Sequence, residues 1–333
     1  MTINNNIYYF ESLNDLVQKI NSNYSTNTLV LIDQNLSLLN LQKSLNAKNI
    51  LINVSETTKS LDTVNKIWQI FFECELDRTS DVLIIGGGVL LDLAGFAAST
   101  YKRGINFTYI PTTLLSIVDA SHGGKNGFNN EFGKNQIGTF NLPKSVFVCF
   151  EFLNTLDENN YKNGLIELIK HGLIADEEIV LTMFSSTEYK VSYDLIKSGI
   201  NVKTKIVNED FLESNHRKYL NFGHTIGHLI EKDSKFQISH GQAVAIGMYY
   251  ELLLSKIYFG LKDELINLYL KFLEKINFTY SYNFQKPKTE LLQILKNDKK
   301  VINNNIEIVL ISDIAKPKLM KLNLEKLIEV AYE

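Results

Sequence analysis

The sequence predicts an α/β domain of nucleotide-binding type followed by a mainly α-helical, metal-binding domain. Three observations predict it. Short apolar runs alternate with helical periodicity up to about residue 150. Three consecutive glycines follow one of those runs and open a helix. Beyond residue 151 long apolar-periodic segments take over and carry a cluster of histidines. A chain of 333 residues exceeds the size at which one hydrophobic core usually stops growing, so two domains are expected, 1–150 and 151–333.

In the first half the expected strands are Leu29–Ile32, Ile50–Val54, Val82–Ile85, Phe107–Ile110 and Val146–Val148. Leu61–Phe72 repeats apolar residues at helical spacing, and Leu90–Thr100 begins a helix directly after the glycines. This alternation feeds a parallel sheet. In the second half the helical segments are Leu165–Ile174, Ala243–Phe259 and Lys262–Ile276, with little strand pattern before Ile306–Ile311. The glycine-rich stretches Gly86–Gly88, Gly123–Gly127 and Gly133–Pro143 read as loops.

Composition narrows the function classes. The chain carries 34 basic and 37 acidic residues, a net charge of −3, with the basic ones scattered, so no nucleic-acid surface is expected. Two cysteines without C-x-x-C spacing, Cys74 and Cys149, argue against a disulfide framework or a thiolate metal site and for a reducing compartment. The start, MTINNNIYYFESLNDL, lacks a basic n-region and an apolar h-region, and no stretch approaches eighteen uninterrupted apolar residues. A cytoplasmic enzyme or binding protein, without membrane association, is expected.

The run DVLIIGGGVLLDLAGF sets Gly86, Gly87 and Gly88 between an all-apolar strand and a helix. Glycines there let the backbone approach a diphosphate, while the helix N-terminus offers unpaired N–H groups and the positive end of its dipole. The spacing is not G-x-G-x-x-G, and a tight turn without a ligand has the same sequence. Asp92, one turn into the helix, is placed to meet a ribose or nicotinamide group, or simply to favour a helix start. Asp33 ends the first strand, and Glu56 and Lys59 follow the second; strand ends are where α/β sheets bind nucleotides.

The stretch PTTLLSIVDASHGGKNGFNNEFGKNQIGTF packs Asp119, Lys125, Lys134 and Asn135 among five glycines. Lysines in glycine-rich loops act as compact charges on phosphate or carboxylate. Arg103, in YKRGINF, is a further phosphate candidate, because its fork donates bidentately. In LNFGHTIGHLIE, His224 and His228 are four apart and share a face if the segment is helical; His240 opens the helical pattern HGQAVAIGM. A catalytic metal commonly takes three N and O donors and keeps one position open. The carboxylate best placed to complete the set is Glu167, inside the apolar pattern NGLIELIKHG, with Lys170 one turn on.

Taken together, GGGVLLDLAGF, RGINF, PTTLLSIVDASHGGK, GKNQIGTF, GLIELIKHG, LNFGHTIGH and HGQAVAIGM, in this order, resemble the 3-dehydroquinate synthases of the sugar-phosphate cyclase superfamily. The resemblance runs from about Asp33 to Lys300. It implies a Rossmann-like N-terminal domain holding NAD and a helical C-terminal domain holding Zn2+ or Co2+. The implied reaction converts 3-deoxy-D-arabino-heptulosonate 7-phosphate to 3-dehydroquinate and phosphate, a step of the shikimate pathway. It runs by transient oxidation, β-elimination of phosphate, reduction and intramolecular aldol closure.

Roles carry over by position. The resemblance implies Glu167, His224 and His240 as metal ligands, and His228 as a proton-transferring histidine near the phosphate. Lys125, Lys170, Asp119 and Glu213 would be catalytic. Lys134, Asn135, Lys203, Arg217, Asn221, Lys299 and Lys300 would bind substrate. Arg103 would reach the neighbouring phosphate site of a homodimer. Asp33, Glu56, Lys59, Gly86, Gly87, Gly88, Val89, Asp92, Thr112 and Thr113, with Asp119, Lys125 and Lys134, would contact NAD.

This chain departs from the family pattern in three places. His122 and Asn126 stand where a small aliphatic residue and a threonine are usual, Asp157–Asn160 replace a proline, arginine and glutamate pattern, and Cys149 replaces a common aspartate. Three other readings remain distinct: a cyclase making a valiolone- or scyllo-inosose-type cyclitol, a metal-dependent polyol dehydrogenase, and a catalytically inactive NAD-binding regulator.

Overall fold

In the computed structural model, which describes residues 6–24, 27–131, 133–296 and 301–332, the apolar runs of the first half pair into one parallel sheet. Its elements are β1 (Asn6–Phe10), α1 (Leu13–Asn23), β2 (Thr28–Asp33), α2 (Leu41–Ser44), β3 (Lys48–Ile52) and α3 (Leu61–Glu73). There follow β4 (Asp81–Gly86), α4 (Gly88–Thr100), β5 (Asn106–Pro111), α5 (Leu114–Val118), β6 (Lys125–Asn130), β7 (Gly133–Phe140) and β8 (Ser145–Cys149). The sheet order is β1-β8-β5-β4-β2-β3, parallel at every pairing.

The inner strands are apolar almost without interruption because helices cover both faces of a parallel sheet. Helix α4 is apolar nearly all round, with Leu90, Leu91, Leu93, Ala94 and Ala97 fully buried, as a core helix must be. Strand β3 begins two residues before its apolar run, in register with Leu29–Asp33 of β2. Strand β1 escapes the pattern because it is an edge strand with no residue fully buried, paired among the described residues with β8.

Two of the three glycine stretches read as loops, Gly123–Gly127 and Gly133–Pro143, run largely into strands. They form an antiparallel hairpin, β6 with β7, in which Gly127 faces Gly138. A Cβ on Gly138 would stand 2.2 Å from the Asn126 carbonyl oxygen, and one on Gly127 would stand 2.5 Å from that of Ile137. Here glycine marks the close approach of two backbones.

Contacts group the chain into two compact units, Met1–Tyr161 and Lys162–Glu333. The later elements are α6 (Glu158–Ala175), α7 (Glu177–Ser185), α8 (Tyr193–Glu209), α9 (His224–Asp233), α10 (His240–Phe259), α11 (Asp263–Lys275) and α12 (Lys288–Lys296). A three-stranded antiparallel sheet of β9 (Val301–Ile302), β10 (Asn305–Ile311) and β11 (Pro317–Asn323) and a last helix α13 (Leu324–Tyr332) complete it. The core of the second unit gathers Ile226, Leu229 and Ile230 of α9, Ile246 and Leu254 of α10, and Ile306, Ile308 and Leu310 of β10. Among the described residues no helix is long and apolar enough to cross a membrane.

Helices α9 and α10 meet backbone to backbone through glycines. A Cβ on Gly247 would lie 1.9 Å from the Gly223 carbonyl oxygen, and one on Gly227 would lie 3.1 Å from that of Ala243. Gly223 itself has φ +79°, left-handed, and its N–H donates to Glu251 Oε2 at 2.6 Å. The Gly247→Ala variant is therefore expected to lose about 1–3 kcal/mol of stability by overpacking. A urea titration reads this as a lower midpoint with an unchanged slope; an unchanged midpoint would contradict the packing.

Candidate functional site

Two clusters of polar groups stand out, one in each unit. In the first, the chain moves outward from β2 to β3 and then returns to the other side of β2 with β4, so the strand order reverses between β2 and β4. Such reversals leave a crevice at the carboxyl ends of the strands. Asp33 ends β2 and Gly86 ends β4; a Cβ on Gly86 would stand 3.2 Å from the Asp33 Cβ and 3.0 Å from the Leu90 side chain. A Cβ on Gly87 would meet Thr113 at 3.2 Å. Gly87 is the N-cap of α4 and supplies no side-chain cap, so the first N–H groups of the helix are left to a ligand or water.

The groups named from the sequence gather around this point. Burial raises the Asp33 carboxyl, against hydrogen bonds from Asn35 and the Gly87 backbone. The Thr112 N–H donates to the Gly86 carbonyl oxygen at 3.0 Å, and Thr113 caps α5 reciprocally with Ser116. Gly88 and Val89, half-buried, form the first turn of α4. One turn on, Asp92 Oδ2 pairs with Lys59 Nζ at 2.5 Å, with the lysine side chain only 5% exposed. Burial raises the Asp92 carboxyl; Lys59 opposes this, and Glu56 and Asp119 add to it.

The hairpin is tied to the same place. The Asn129 N–H donates to the Lys59 carbonyl oxygen at 2.8 Å, its amide to Glu56 Oε1 at 2.8 Å, and its own Oδ1 accepts from the Asn135 N–H at 3.1 Å. Lys134 Nζ lies 3.7 Å from Glu56 Oε1. Lys125 is exposed at the start of β6, and Asp119 is half-buried at the end of α5. Arg103 is exposed, on a turn whose backbone has positive φ at Lys102, Arg103 and Gly104.

Two of the three departures are absorbed by packing. Asn126, buried, donates to the Asn141 carbonyl oxygen at 2.8 Å and accepts from the Tyr109 hydroxyl, tying the hairpin to β5. His122 Nε2 lies 2.8 Å from the Ile117 carbonyl oxygen, and the Cys149 thiol is buried in the sheet, which pushes it up to about 11.

The second cluster lies where α6, α9 and α10 converge. Glu167 and Lys170 are each 1% exposed and paired with each other through Glu167 Oε2. Glu167 Oε1 is buried and accepts no hydrogen bond, yet it lies 3.7 Å from His224 Nε2 and 3.8 Å from His240 Nε2. Donors sharing one tetrahedral ion at zinc distances stand roughly 3.4 Å apart, so this trio fits a divalent cation with minor adjustment.

His224 Nδ1 sits 3.1 Å from the Phe222 carbonyl oxygen, which leaves Nε2 to face the carboxylate. Burial, then the Lys170 charge and the imidazoles of His240 and His228, hold His224 well below the usual histidine range, in the neutral form that ligates metals. His228 is half-buried beside them, its ring 5.4 Å from that of His224.

Beyond this cluster, Arg217 is buried, its N–H donating to Asp210 Oδ2 at 3.1 Å and its guanidinium to the Phe211 carbonyl oxygen. Burial opposes the charge on Asp210, but hydrogen bonds from Asn215, Ser214 and Arg217 bring its carboxyl down to about 2. The Asn221 amide donates to Glu213 Oε1 at 2.8 Å. Lys203 is buried on α8, while Lys299 and Lys300 lie outside the described residues.

Three groups in this region escaped sequence reasoning: Glu231, Glu251 and the glycines that press α9 onto α10. Glu231 had a signal, since it falls three residues after His228 and seven after His224, on the same helix face.

The comparisons with known proteins agree across the chain. The family model described as 3-dehydroquinate synthase N-terminal matches residues 49–163, and the one described as 3-dehydroquinate synthase C-terminal matches residues 164–301. The chain is 40% identical over 294 residues to the 3-dehydroquinate synthase of Pyrococcus furiosus, covering 87% of this chain and 85% of that protein. It is 37% identical over 302 residues to that of Clostridium tetani, covering 88% and 80%. Its fold matches a solved 2-epi-5-epi-valiolone synthase from Streptomyces hygroscopicus with NAD+ and Zn2+ bound, at a TM-score of 0.87 and 22% identity, over 99% of this chain and 96% of that one.

Proposed function

This chain belongs to the 3-dehydroquinate synthase family, and from that premise we propose that it converts 3-deoxy-D-arabino-heptulosonate 7-phosphate to 3-dehydroquinate and inorganic phosphate. The observation that carries the reading is the buried Glu167 Oε1, turned to the Nε2 atoms of His224 and His240. Those three residues would hold a divalent metal, Zn2+ or Co2+. NAD would lie at the ends of β2 and β4, against Asp33, Glu56, Lys59, Gly86–Val89, Asp92, Thr112 and Thr113. When bound, NAD+ takes up and returns a hydride and the metal polarises substrate oxygens, so no net NADH forms.

The residues of the chain supply binding, orientation and proton movement. Lys125, Lys134, Asn135, Lys170, Lys203, Arg217 and Asn221 would hold the carboxylate, hydroxyls and phosphate, the lysines as point charges and the arginine as a fork. Lys299 and Lys300 complete the proposed set. Asp119, Glu213 and the half-buried His228 imidazole would accept and return protons. This is catalysis by positioning and fixed charge rather than by a covalent intermediate. A homodimer in the cytoplasm, with Arg103 reaching the neighbouring phosphate, belongs to the same proposal.

The substrate is tested by offering three phosphates side by side: the heptulosonate phosphate, a heptulose phosphate lacking the carboxylate, and glucose 6-phosphate. The carboxylated sugar is expected to release phosphate at least about 10²-fold faster, because the lysines and arginine proposed to meet its carboxylate would be left unmatched by the others. Faster release from either neutral-headed sugar would move the chain to the cyclitol-forming cyclases. The amide of Asn126 favours the first outcome, since it is engaged by Tyr109 and Asn141.

A further inference from the structure

Resting on the metal-site reading above, we propose that Glu231 is a positioning residue that fixes the tautomer and ring orientation of His240. Glu231 sits on α9, 3% exposed, deep enough that a charged carboxylate needs partners. Both of its oxygens are turned to imidazoles: Oε1 lies 3.4 Å from His240 Nδ1, and Oε2 lies 4.0 Å from His228 Nε2.

The two nitrogens of His240 thereby face two different carboxylates. Nε2 faces Glu167 Oε1 at 3.8 Å and Nδ1 faces Glu231 Oε1. A histidine that ligates through one nitrogen must carry its proton on the other, and a carboxylate there holds that proton in place and makes the ligating lone pair more basic. His224 meets the same need differently, with the Phe222 backbone carbonyl oxygen 3.1 Å from its Nδ1. His240 is the more exposed ring, 33% against 13%. It opens α10, and the group facing its Nδ1 is a side chain from α9, that of Glu231.

The cluster of His228, Glu231 and His240 also has donor atoms within 4.8 Å of one another, as a second metal site would. Using it would require His240 to give up its Nδ1 proton while Nε2 is already committed. The arrangement therefore favours a hydrogen-bonded pair over a second ion.

The test titrates Co2+ and Zn2+ into the metal-free full chain, its Glu231→Gln and Glu231→Ala variants, and Glu167→Ala as reference. The wild type is expected to take one ion per chain. Glu231→Ala should bind about 10- to 100-fold more weakly with an altered Co2+ absorption spectrum. Glu231→Gln, whose amide oxygen still accepts from Nδ1, should lie between the two. Wild-type affinity and an unchanged spectrum in both Glu231 variants would overturn the proposal even if melting temperature fell, while a weakened Glu167→Ala kept the metal site itself. Two ions per wild-type chain, falling to one in Glu231→Ala, would replace positioning by a second site. If wild type and Glu167→Ala bind identically, the ligand set is wrong and the proposal falls with it.

Discussion

Replacing Glu167 by alanine is expected to abolish metal binding and to lower turnover by about 10³-fold or more, the scale of Lewis-acid stabilisation of a developing oxyanion. A second effect separates this from simple loss of a ligand. Glu167 and Lys170 are a pair with both side chains 1% exposed, so removing the carboxylate takes the Glu167 charge away from a buried ammonium. Breaking such a pair costs about 3–5 kcal/mol. Urea denaturation in the presence of a chelator should show that loss in Glu167→Ala. Glu167→Ala combined with Lys170→Met should recover most of the stability and none of the metal affinity. Equilibrium dialysis against zinc supplies the second reading. A single variant that kept its zinc, or a double variant that regained it, would remove Glu167 from the site.

The companion prediction concerns the buried pair of the first unit. Lys59→Met is expected to weaken NAD+ binding on the order of 10²-fold, equivalent to about 2.7 kcal/mol. The Lys59 charge is the principal influence holding the Asp92 carboxyl down against burial, Glu56 and Asp119. Without it the carboxyl rises further. A carboxyl whose folded-state pKa is raised destabilises the fold above that pKa and ceases to do so as pH falls below its unfolded value. The variant should therefore lose more stability in mildly alkaline than in mildly acidic buffer. Isothermal titration with NAD+ and melting curves across that range measure both. Unchanged NAD+ affinity would detach this pair from the nucleotide site.

Much of this was legible in the chain because its signals are local. Inner strands such as Val82–Ile85 and Phe107–Ile110 are uninterrupted apolar runs, and burial on both faces of a parallel sheet demands that pattern. His224 and His228 share a helix face by spacing alone. What was hidden depends on pairing across distance. The hairpin of β6 and β7 was read as two loops, because glycine signals flexibility in sequence while Gly127 and Gly138 serve close strand contact. The edge strand β1, NIYYF, has no alternation of apolar and polar residues, so it carries no half-buried strand signal.

In the candidate site, the convergence of α9 and α10 rests on Gly223, Gly227 and Gly247, whose role appears only when the two helices are laid together. Glu231 and Glu251 were not singled out in the sequence, yet both are buried, one against His240 and the other against the Gly223 N–H. A carboxylate's partner is set by the fold, and spacing along one helix cannot name it.

The central claim is tested most directly by following phosphate and nicotinamide absorbance together while the metal-loaded protein with NAD+ acts on the heptulosonate phosphate. The account predicts stoichiometric phosphate with no accumulating NADH, both stopped by a chelator and restored by added zinc. Stoichiometric NADH without phosphate, or full phosphate release from the metal-free protein, would contradict it.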